Sequence, residues 1–306
     1  MQALIFGPVT SRRFGLSLGV DLSPKDKQCN FDCLYCELAP AKVVASSTNF
    51  PNPKDVIEAV KKGIFLHQDV KYITLTANGE PTLYPHLNEV VDGIKALKLP
   101  QKLLILSNSS TINDEKIIKI LHKIDSVKLS LDTANEQIFK KLDRPIEGIK
   151  ISNIIDGIIK FAKEYEGELI LEVLVVKGLN DTTKDFKELN EVFNLIKPAR
   201  IDIGTIDRPP AYKVEGVSAK RLNELASHIK GLPISINKKA EYKTSINLDK
   251  DEILKLVERR PQSRVDIDSS FTKESKIFLN ELFEEGLVKI ENVAGMEFIC
   301  LTKQRF

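Results

Sequence analysis

Residues 102–131, KLLILSNSSTINDEKIIKILHKIDSVKLSL, decide the fold class. Two short apolar runs, 102–107 and 126–131, are typical of buried strands, and apolar residues recur at helical spacing near 114–123 between them. A strand, a helix and a second strand in this order predict a βαβ unit, in which the two strands are parallel and the helix covers them. The chain is therefore expected to have an α/β fold.

The same unit recurs on both sides of this stretch. We predict further strands at 17–22, 71–77, 168–176 and 200–206, and helices near 56–64, 86–97, 135–141, 151–164, 183–195 and 218–229. Six βα units predict a partial (βα)6 barrel, whose active site lies at the carboxyl ends of the strands. An open, flavodoxin-like sheet is the structural alternative.

The C-terminal part of the chain has a different pattern. A charged stretch, 237–249, predicts a linker between a barrel domain, 1–236, and a second domain, 250–306. In that second domain we predict helices at 251–259, 264–270 and 272–285 and strands at 287–290 and 297–301, with a turn at Ala294-Gly295. This order resembles a winged helix. Asp and Glu outnumber Lys and Arg in 251–306, so duplex DNA is not expected as a partner.

Composition excludes several classes of protein. The 306 residues carry a net charge of +2, with 42% hydrophobic and 29% charged residues, which excludes disordered and disulfide-rich chains. No run approaches the roughly 18 uncharged apolar residues of a membrane span, and the N-terminal residues lack the pattern of a secretory signal. We therefore expect a cytoplasmic protein with no membrane partner.

Three of the four cysteines lie in CNFDCLYC, at Cys29, Cys33 and Cys36. Thiols clustered in this way in a cytosolic chain indicate a metal site more often than disulfides. Zinc would need a fourth ligand, which one of the histidines would have to supply through the fold. Three thiolates on one loop also suit an iron–sulfur cluster with one iron left open. Cys300, far away in the sequence, is expected to be a buried thiol.

The C-x3-C-x2-C spacing, with Tyr35 directly before the last cysteine, resembles the signature of the radical S-adenosylmethionine (radical SAM) superfamily. The resemblance implies that Cys29, Cys33 and Cys36 hold a [4Fe-4S] cluster whose open iron is chelated by SAM. It implies reductive cleavage of SAM to a 5′-deoxyadenosyl radical, which abstracts hydrogen from a substrate. It also implies a partial barrel and an electron donor of the flavodoxin or ferredoxin type.

Residues at the ends of the predicted strands resemble the SAM-binding positions of that family. Asn78-Gly79-Glu80 is similar to its Gly-Gly-Glu motif, which receives the ammonium of SAM, although Asn78 replaces the first glycine. Turns, helix caps and solvated side chains are the structural alternatives for all these positions. The resemblance assigns the remaining contacts as follows: Ser130, Asp132 and, less directly, Asn108 to the ribose hydroxyls, Arg144 to the SAM carboxylate, and the stretch beginning at Val176 to the adenine.

Two segments remain for the substrate. Arg12 and Arg13 precede the first predicted strand, whereas Arg208 and Tyr212 follow the last one in DRPPAY. Arginines offer contacts to anions, and prolines stiffen such loops, so both segments are candidates for the barrel mouth. The sequence assigns no residue to the hydrogen-transfer step itself.

GPVTSRRFGLSLGVDLSP, at 7–24, and DRPPAY, at 207–212, look like a little-characterised group of radical SAM proteins related to tRNA wyosine synthases. The resemblance implies an RNA or nucleoside substrate. The chain departs from those synthases because no cysteine precedes Cys29. A peptide, protein or small-metabolite substrate, with the C-terminal domain as a docking module, is the alternative. A non-catalytic metal-binding regulator is a second alternative.

Overall fold

A computed structural model describes residues 4–11, 13–236, 245–293 and 296–302. Its larger sheet contains eight strands in chain order. They are β1 (Ile5–Ser11), β2 (Gly15–Asp21), β3 (Tyr72–Thr76), β4 (Lys102–Ser107), β5 (Ser126–Ser130), β6 (Glu168–Val175), β7 (Arg200–Thr205) and β8 (Ile234–Ile236). Strands β2 to β8 are parallel, and β1 pairs antiparallel with β2.

Helices follow each of the six strands from β2 to β7. They are α1 (Pro53–Leu66), α2 (Leu87–Ala96), α3 (Glu115–Leu121), α4 (Glu136–Leu142), α5 (Ile151–Glu164), α6 (Thr183–Ile196) and α7 (Ala219–Ala226). Each buries an apolar face, as α5 does with Ile154, Ile158 and Phe161. The predicted α/β fold with a partial (βα)6 barrel is therefore confirmed.

Two strands at the edges of the sheet were not predicted. Strand β1 contains Gly7 and Pro8, and its register with β2 shifts between Phe6 and Val9. Proline cannot donate to a ladder, so the sequence does not show the alternation of an ordinary strand there, and an edge is where such a strand is tolerated. Strand β8 has only three residues, too few for a detectable period.

The turn between β1 and β2 reaches across the sheet, which shows how strongly the sheet curves. The guanidinium Nη1 of Arg13 lies 3.2 Å from Glu172 Oε1 on β6 and 3.0 Å from Asp202 Oδ2 on β7. The ring of Phe14 lies 5.2 Å from the ring of Tyr72 on β3. The turn between the first two strands thus approaches β6 and β7 near the other edge of the sheet, and it forms the floor of the barrel.

The C-terminal unit has three helices and a small antiparallel sheet. These are α8 (Lys250–Arg259), α9 (Arg264–Ser270) and α10 (Lys273–Glu284), with strands β9 (Gln262–Ser263), β10 (Val288–Val293) and β11 (Met296–Leu301) in the order β10-β11-β9. The predicted helices and the two longer strands are present, and β9 was not predicted. The winged-helix assignment stays a prediction, and the turn predicted at 294–295 lies outside the described residues.

Part of the predicted linker packs with the C-terminal unit. The amide of Ile246 donates to the carbonyl of Ser270, and that of Leu248 donates to Ser275 Oγ at 2.7 Å. Residues 237–244 lie outside the described residues, and the division into domains stays a prediction. Across the described part of the chain, none of the helices is both long and apolar enough to cross a membrane.

A buried ion pair joins the two units. Arg259, at the end of α8, places Nε 2.6 Å from Asp21 Oδ2, at the end of β2, and its Nη2 donates to the carbonyl of Pro24 at 2.9 Å. Burial raises the pKa of Asp21, and the charge of Arg259 opposes that rise. Because Asp21 is only 1% exposed, this pair is shielded from solvent.

Candidate functional site

The loop that carries Cys29, Cys33 and Cys36 follows β2 and lies at the carboxyl edge of the sheet. The end of α4 and the chain that follows it hold the middle part of this loop. The amide of Leu34 donates to the carbonyl of Leu142 at 2.9 Å, and the amide of Ile146 donates to that of Asn30 at 2.8 Å. The cysteine loop is therefore a fixed part of the barrel mouth.

The start of the cysteine loop pairs with the segment Asn78-Gly79-Glu80. The amide of Gln28 donates to the carbonyl of Asn78 at 2.9 Å, and the amide of Glu80 donates to that of Gln28 at 2.8 Å. Gly79 has φ +138°, and a Cβ there would lie 2.0 Å from the Gln28 carbonyl oxygen. Only glycine fits this contact. The predicted SAM-binding segment is thus fastened directly beside Cys29.

The carboxylate of Glu80 is buried and largely satisfied. Its Oε1 accepts hydrogen bonds from Thr82 N (3.0 Å), Thr82 Oγ1 (2.7 Å) and Ser107 Oγ (2.8 Å), whereas Oε2 accepts one from Asn108 N (2.7 Å). Burial raises the pKa of Glu80, and the bonds from Asn108 and Thr82 oppose that rise. Since each carboxylate oxygen has about two acceptor positions, Oε2 keeps room for one more donor.

Asn108, predicted as a ligand of SAM, points at a cysteine. Its Nδ2 lies 3.7 Å from Cys29 Sγ, and its Oδ1 accepts from the amide of Ser110 at 3.0 Å, which fixes the orientation of the amide group. The amide of Phe31 also donates to Cys29 Sγ at 3.4 Å. Donors aimed at a sulfur favour its thiolate form and tune bound iron.

Two buried aspartates meet beside the second cysteine, an arrangement that the sequence analysis missed. The hydroxyl of Tyr35 donates to the carboxylate of Asp132 and lies 3.3 Å from Asp143 Oδ1, which is 3.5 Å from Cys33 Sγ. Burial raises the pKa of both aspartates, and the charge of Asp132 raises that of Asp143 further. The only sequence signal was the aromatic residue before Cys36.

Asp132 therefore has contacts other than those predicted for it. Its second oxygen, Oδ1, accepts from the amide of Leu174 at 2.7 Å, so both oxygens face protein groups. Ser130, at the end of β5, lines the same narrow crevice as Asn108, and its carbonyl accepts from Ser109 Oγ at 2.7 Å. The predicted ribose-binding set is thus brought together, with Asp132 turned inward.

Arg144 and Tyr212 meet on an aspartate of the cysteine loop. Arg144 Nη1 lies 3.1 Å from Asp32 Oδ2, the Tyr212 hydroxyl donates to the same oxygen at 2.6 Å, and the guanidinium carbon lies 4.8 Å from the centre of the tyrosine ring. The amide of Ala211 donates to the carbonyl of Cys36 at 2.7 Å. The loop after β7 is therefore bound to the cysteine loop.

The remaining predicted residues are distributed over the barrel. Val176 is buried, and its amide donates to Asn180 Oδ1 at 2.8 Å. Arg208 Nη1 pairs with Glu37 at 3.2 Å, and both line a cavity of about 420 Å³ inside the barrel, together with Arg13 at its floor. Arg12 lies outside the described residues.

The donor set fits an iron–sulfur cluster better than a single zinc ion. No group of three or more His, Cys, Asp or Glu side chains in residues 4–11, 13–236, 245–293 and 296–302 is arranged around one ion. Two of the histidines pair with glutamates instead, His67 with Glu252 at 2.8 Å and His86 with Glu89 at 2.7 Å. In a cluster each thiolate binds a different iron, which does not require convergence on one point.

Burial raises the thiol pKa of two of the three cysteines. Burial, helped by the charge of Glu80, raises the pKa of Cys29 to about 12, and burial beside Asp143 raises that of Cys33. Iron binds thiolates, so loading of this loop releases protons.

Comparisons with known proteins identify relatives of this chain. The model of the radical SAM superfamily matches residues 27–191. A UPF0026 protein of Helicobacter pylori is 38% identical over 97% of both chains. A GTP 3′,8-cyclase of Lactiplantibacillus plantarum is 27% identical over 53% of this chain and 47% of its own length.

Solved structures resemble this chain at low sequence identity, and SuiB, with a TM-score above 0.5, shares its fold. Streptococcus suis SuiB bound to the precursor peptide SuiA has a TM-score of 0.59 and 19% identity, over 74% of this chain and 49% of SuiB. TYW1 with a lysine-pyruvate adduct bound is matched over 94% of this chain and 80% of that one, with a TM-score of 0.48 and 14% identity.

Proposed function

The chain belongs to the radical SAM superfamily, among the UPF0026 proteins, and we propose that Cys29, Cys33 and Cys36 hold its [4Fe-4S] cluster. With SAM bound, this cluster supplies reductive cleavage of SAM to a 5′-deoxyadenosyl radical that takes hydrogen from a substrate. The chain is a radical SAM enzyme, so the interpretation as a non-catalytic regulator is not retained. The observation that carries the residue assignment is the backbone pairing of Gln28 with Asn78 and Glu80.

That pairing supports a SAM site beside the cysteines. The free acceptor position on Glu80 Oε2 lies in the segment fastened beside Cys29, and it is suited to an ammonium group, which has three donors and no acceptor. Asn108 and Ser130 line the adjoining crevice. Asp132 contacts Tyr35, and Arg144 pairs with Asp32, both on the cysteine loop. These contacts favour positioning roles for Asp132 and Arg144, which hold the cysteine loop in place.

For the substrate we propose an RNA or a nucleoside. The barrel cavity of about 420 Å³ is in the size range of small-ligand sites, and a nucleoside fits such a volume. A relative, the GTP 3′,8-cyclase, is named for a nucleotide substrate. Radical SAM enzymes need a reductant, and we propose one of the flavodoxin or ferredoxin type.

The test is anaerobic. The cluster is reconstituted and reduced, SAM is added, and 5′-deoxyadenosine is measured by chromatography in the wild type and in the triple variant Cys29→Ala, Cys33→Ala, Cys36→Ala. Cys300→Ala is the matched control. We expect product from the wild type and the control, and none from the triple variant. Product from the triple variant, or none from the wild type once iron is loaded, would refute the assignment.

Substrate candidates are then compared by deuterium transfer. Deuterated RNA, nucleotides and peptides are offered to the reduced enzyme, and the deuterium content of 5′-deoxyadenosine is measured by mass spectrometry. Transfer from RNA or a nucleotide supports the proposal. Transfer from a peptide alone would replace it with the peptide-modifying alternative.

A further inference from the structure

The barrel cavity of about 420 Å³, called the chamber below, has compensated charges at its mouth. Arg208 pairs with Glu37 at 3.2 Å, and Arg259 pairs with Asp21 at 2.6 Å. Arg260, which also lines the chamber, has an interaction partner within the chain as well. The mouth therefore offers no excess of charge to a ligand.

The floor of the chamber is also neutral. Arg13 Nη1 lies 3.2 Å from Glu172 Oε1 and 3.0 Å from Asp202 Oδ2. Lys128 Nζ lies 2.5 Å from the same oxygen of Glu172 and 3.3 Å from the same oxygen of Asp202. Since two cations face two anions, the floor does not attract an anionic group.

Among the four charged groups of the floor, Glu172 is the one exposed to the chamber. Its side chain is 37% exposed, whereas the side chains of Arg13 and Lys128 are 10% and 9% exposed and that of Asp202 is fully buried. Within the described residues, the hydrogen bonds that Glu172 accepts reach Oε1. A carboxylate oxygen has about two acceptor positions, so Oε2 can accept a donor from a ligand.

The walls of the chamber present apolar side chains. Leu106, on β4 in the middle of the eight-stranded sheet, lines the chamber and is 36% exposed. The ring of Phe6 lines it too and lies directly against β2, where a Cβ on Gly19 would be 2.3 Å from Phe6 Cζ. Apolar and aromatic walls with a single exposed acceptor are typical of sites for flat organic ligands.

Glu172 lies next to the proposed SAM site. It is the register partner of Ser130 on β5, and its carbonyl accepts from the amide of Leu131 at 2.9 Å. Ser130 lines the crevice beside Asn108 that we assign to SAM. A ligand bound to Glu172 would therefore lie close to that site.

We propose that the chamber binds an uncharged nitrogen heterocycle of the substrate, a nucleobase, which packs against Phe6 and Leu106 and donates an N–H hydrogen bond to Glu172. Nucleobases combine a flat face that stacks on apolar side chains with N–H donors at their edges. This inference rests on the proposed function, because the ligand is part of the substrate of that reaction. It makes Glu172 a specificity-determining residue and places the phosphates of the substrate outside the chamber.

The test measures binding and uses no reductant. The full-length protein, reconstituted anaerobically and saturated with SAM, is titrated by calorimetry with pairs of nucleosides that differ in one N–H donor of the base. The pairs are inosine and 1-methylinosine, adenosine and purine riboside, and uridine and 3-methyluridine. Inosine 5′-monophosphate, compared with inosine at constant ionic strength, measures the effect of a phosphate.

We expect at least one nucleoside with the donor to bind at least tenfold more tightly than its partner, since a site that hydrogen-bonds an N–H rejects the analogue without it. The phosphate should change the affinity by less than threefold. Absence of nucleoside binding, equal affinities within all three pairs, or a larger gain from the phosphate would overturn the proposal. Because SAM cleavage is not needed here, a failed 5′-deoxyadenosine assay and a failed binding assay are separate outcomes.

Glu172→Gln tests the acceptor. A neutral amide is a weaker acceptor than a carboxylate, so the preference for the nucleoside with the donor should fall at least threefold. Glu168→Gln, on the same strand and paired with Arg200, is the matched control and should keep the preference. An unchanged preference in Glu172→Gln, or an equal loss in the control, would overturn the assignment.

Leu106→Ala tests the apolar wall and leaves the charged floor intact. It should weaken both nucleosides of the preferred pair at least fivefold, whereas Leu195→Ala, at a position 64% exposed on α6, should not. Equal affinities in these two variants would contradict the proposal. The nucleoside pairs and Leu106→Ala decide the matter even if Glu172→Gln does not fold, and thermal unfolding shows whether each variant is folded.

Discussion

Replacement of Gly79 by alanine tests the contact that joins the proposed SAM-binding segment to the cysteine loop. The new Cβ would lie 2.0 Å from the oxygen and 2.4 Å from the carbon of the Gln28 carbonyl. Backbone cannot move aside as a flexible side chain does. The two segments must therefore separate, and the hydrogen bonds Gln28 N to Asn78 O and Glu80 N to Gln28 O are lost or lengthened.

The expected cost follows from these contacts. A non-glycine residue at φ +138° costs roughly 2 kcal/mol. Each of the two backbone hydrogen bonds contributes about 1 kcal/mol. We expect Gly79→Ala to lower the free energy of unfolding by about 4 kcal/mol, and to lower iron incorporation, because Cys29 directly follows Gln28.

Gly231→Ala is the matched control. Gly231 has φ +74°, but a Cβ there meets nothing within 4 Å, so only the backbone strain of about 1–2 kcal/mol remains. Urea unfolding of the metal-free proteins measures the loss of free energy of unfolding in each variant. The iron and sulfide content after reconstitution shows whether the cysteine loop still takes up a cluster. Equal destabilisation by the two substitutions, or normal cluster loading in Gly79→Ala, would refute the reasoning.

Three further predictions concern the aspartate pair, the joint between the units and the fourth cysteine. Because burial raises the pKa of Asp132 and Asp143, the folded metal-free protein keeps protons that the unfolded chain releases, and its free energy of unfolding falls as pH rises from about 4 toward those raised values. Asp143→Asn should reduce the slope of the free energy of unfolding against pH by up to about 1.4 kcal/mol per pH unit. Urea unfolding across that pH range measures the slope, and an unchanged slope would contradict the prediction. Arg259→Gln leaves Asp21 buried without its cation and should lower the free energy of unfolding by about 3 kcal/mol in the same assay. Adding Asp21→Asn should restore most of this loss. A loss under about 1 kcal/mol would show that the two residues are not coupled. Cys300→Ser should bind as much iron as the wild type, since Cys300 lies outside the cysteine loop, and loss of iron would assign it a role in the cluster.

Regular periods made most of the fold predictable. Helix α5 has the predicted bounds, 151–164, because Ile154, Ile158 and Phe161 form one uninterrupted apolar face. Strand β1 was missed because Pro8 breaks the alternation, and only pairing with β2 defines it. Local patterns predict local structure, and pairing partners far apart in the sequence are invisible to them.

The arrangement of the candidate site was predictable only for residues that belong to a short sequence motif. The spacing of the cysteines and the place of Glu80 are readable in the sequence. The contacts among Tyr35, Asp132 and Asp143 bring together three separate segments, and the pair of Arg259 and Asp21 brings together two segments far apart in the sequence. Asp132 shows the limit of an argument from strand ends. It follows β5 as predicted, but its carboxylate turns inward to Leu174 and Tyr35.

The hydrogen bonds that hold the cysteine loop also bear on when iron can be bound during synthesis. All three cysteines leave the ribosome early, but the residues that hold their loop come much later: Leu142 at the end of α4, Ile146 after that helix, and Ala211 and Tyr212 after β7. A nascent chain that ends before residue 212 carries the three cysteines without the contacts that set their spacing. We therefore expect the assembly machinery of the cell to meet a finished barrel, with iron delivered after translation of that domain.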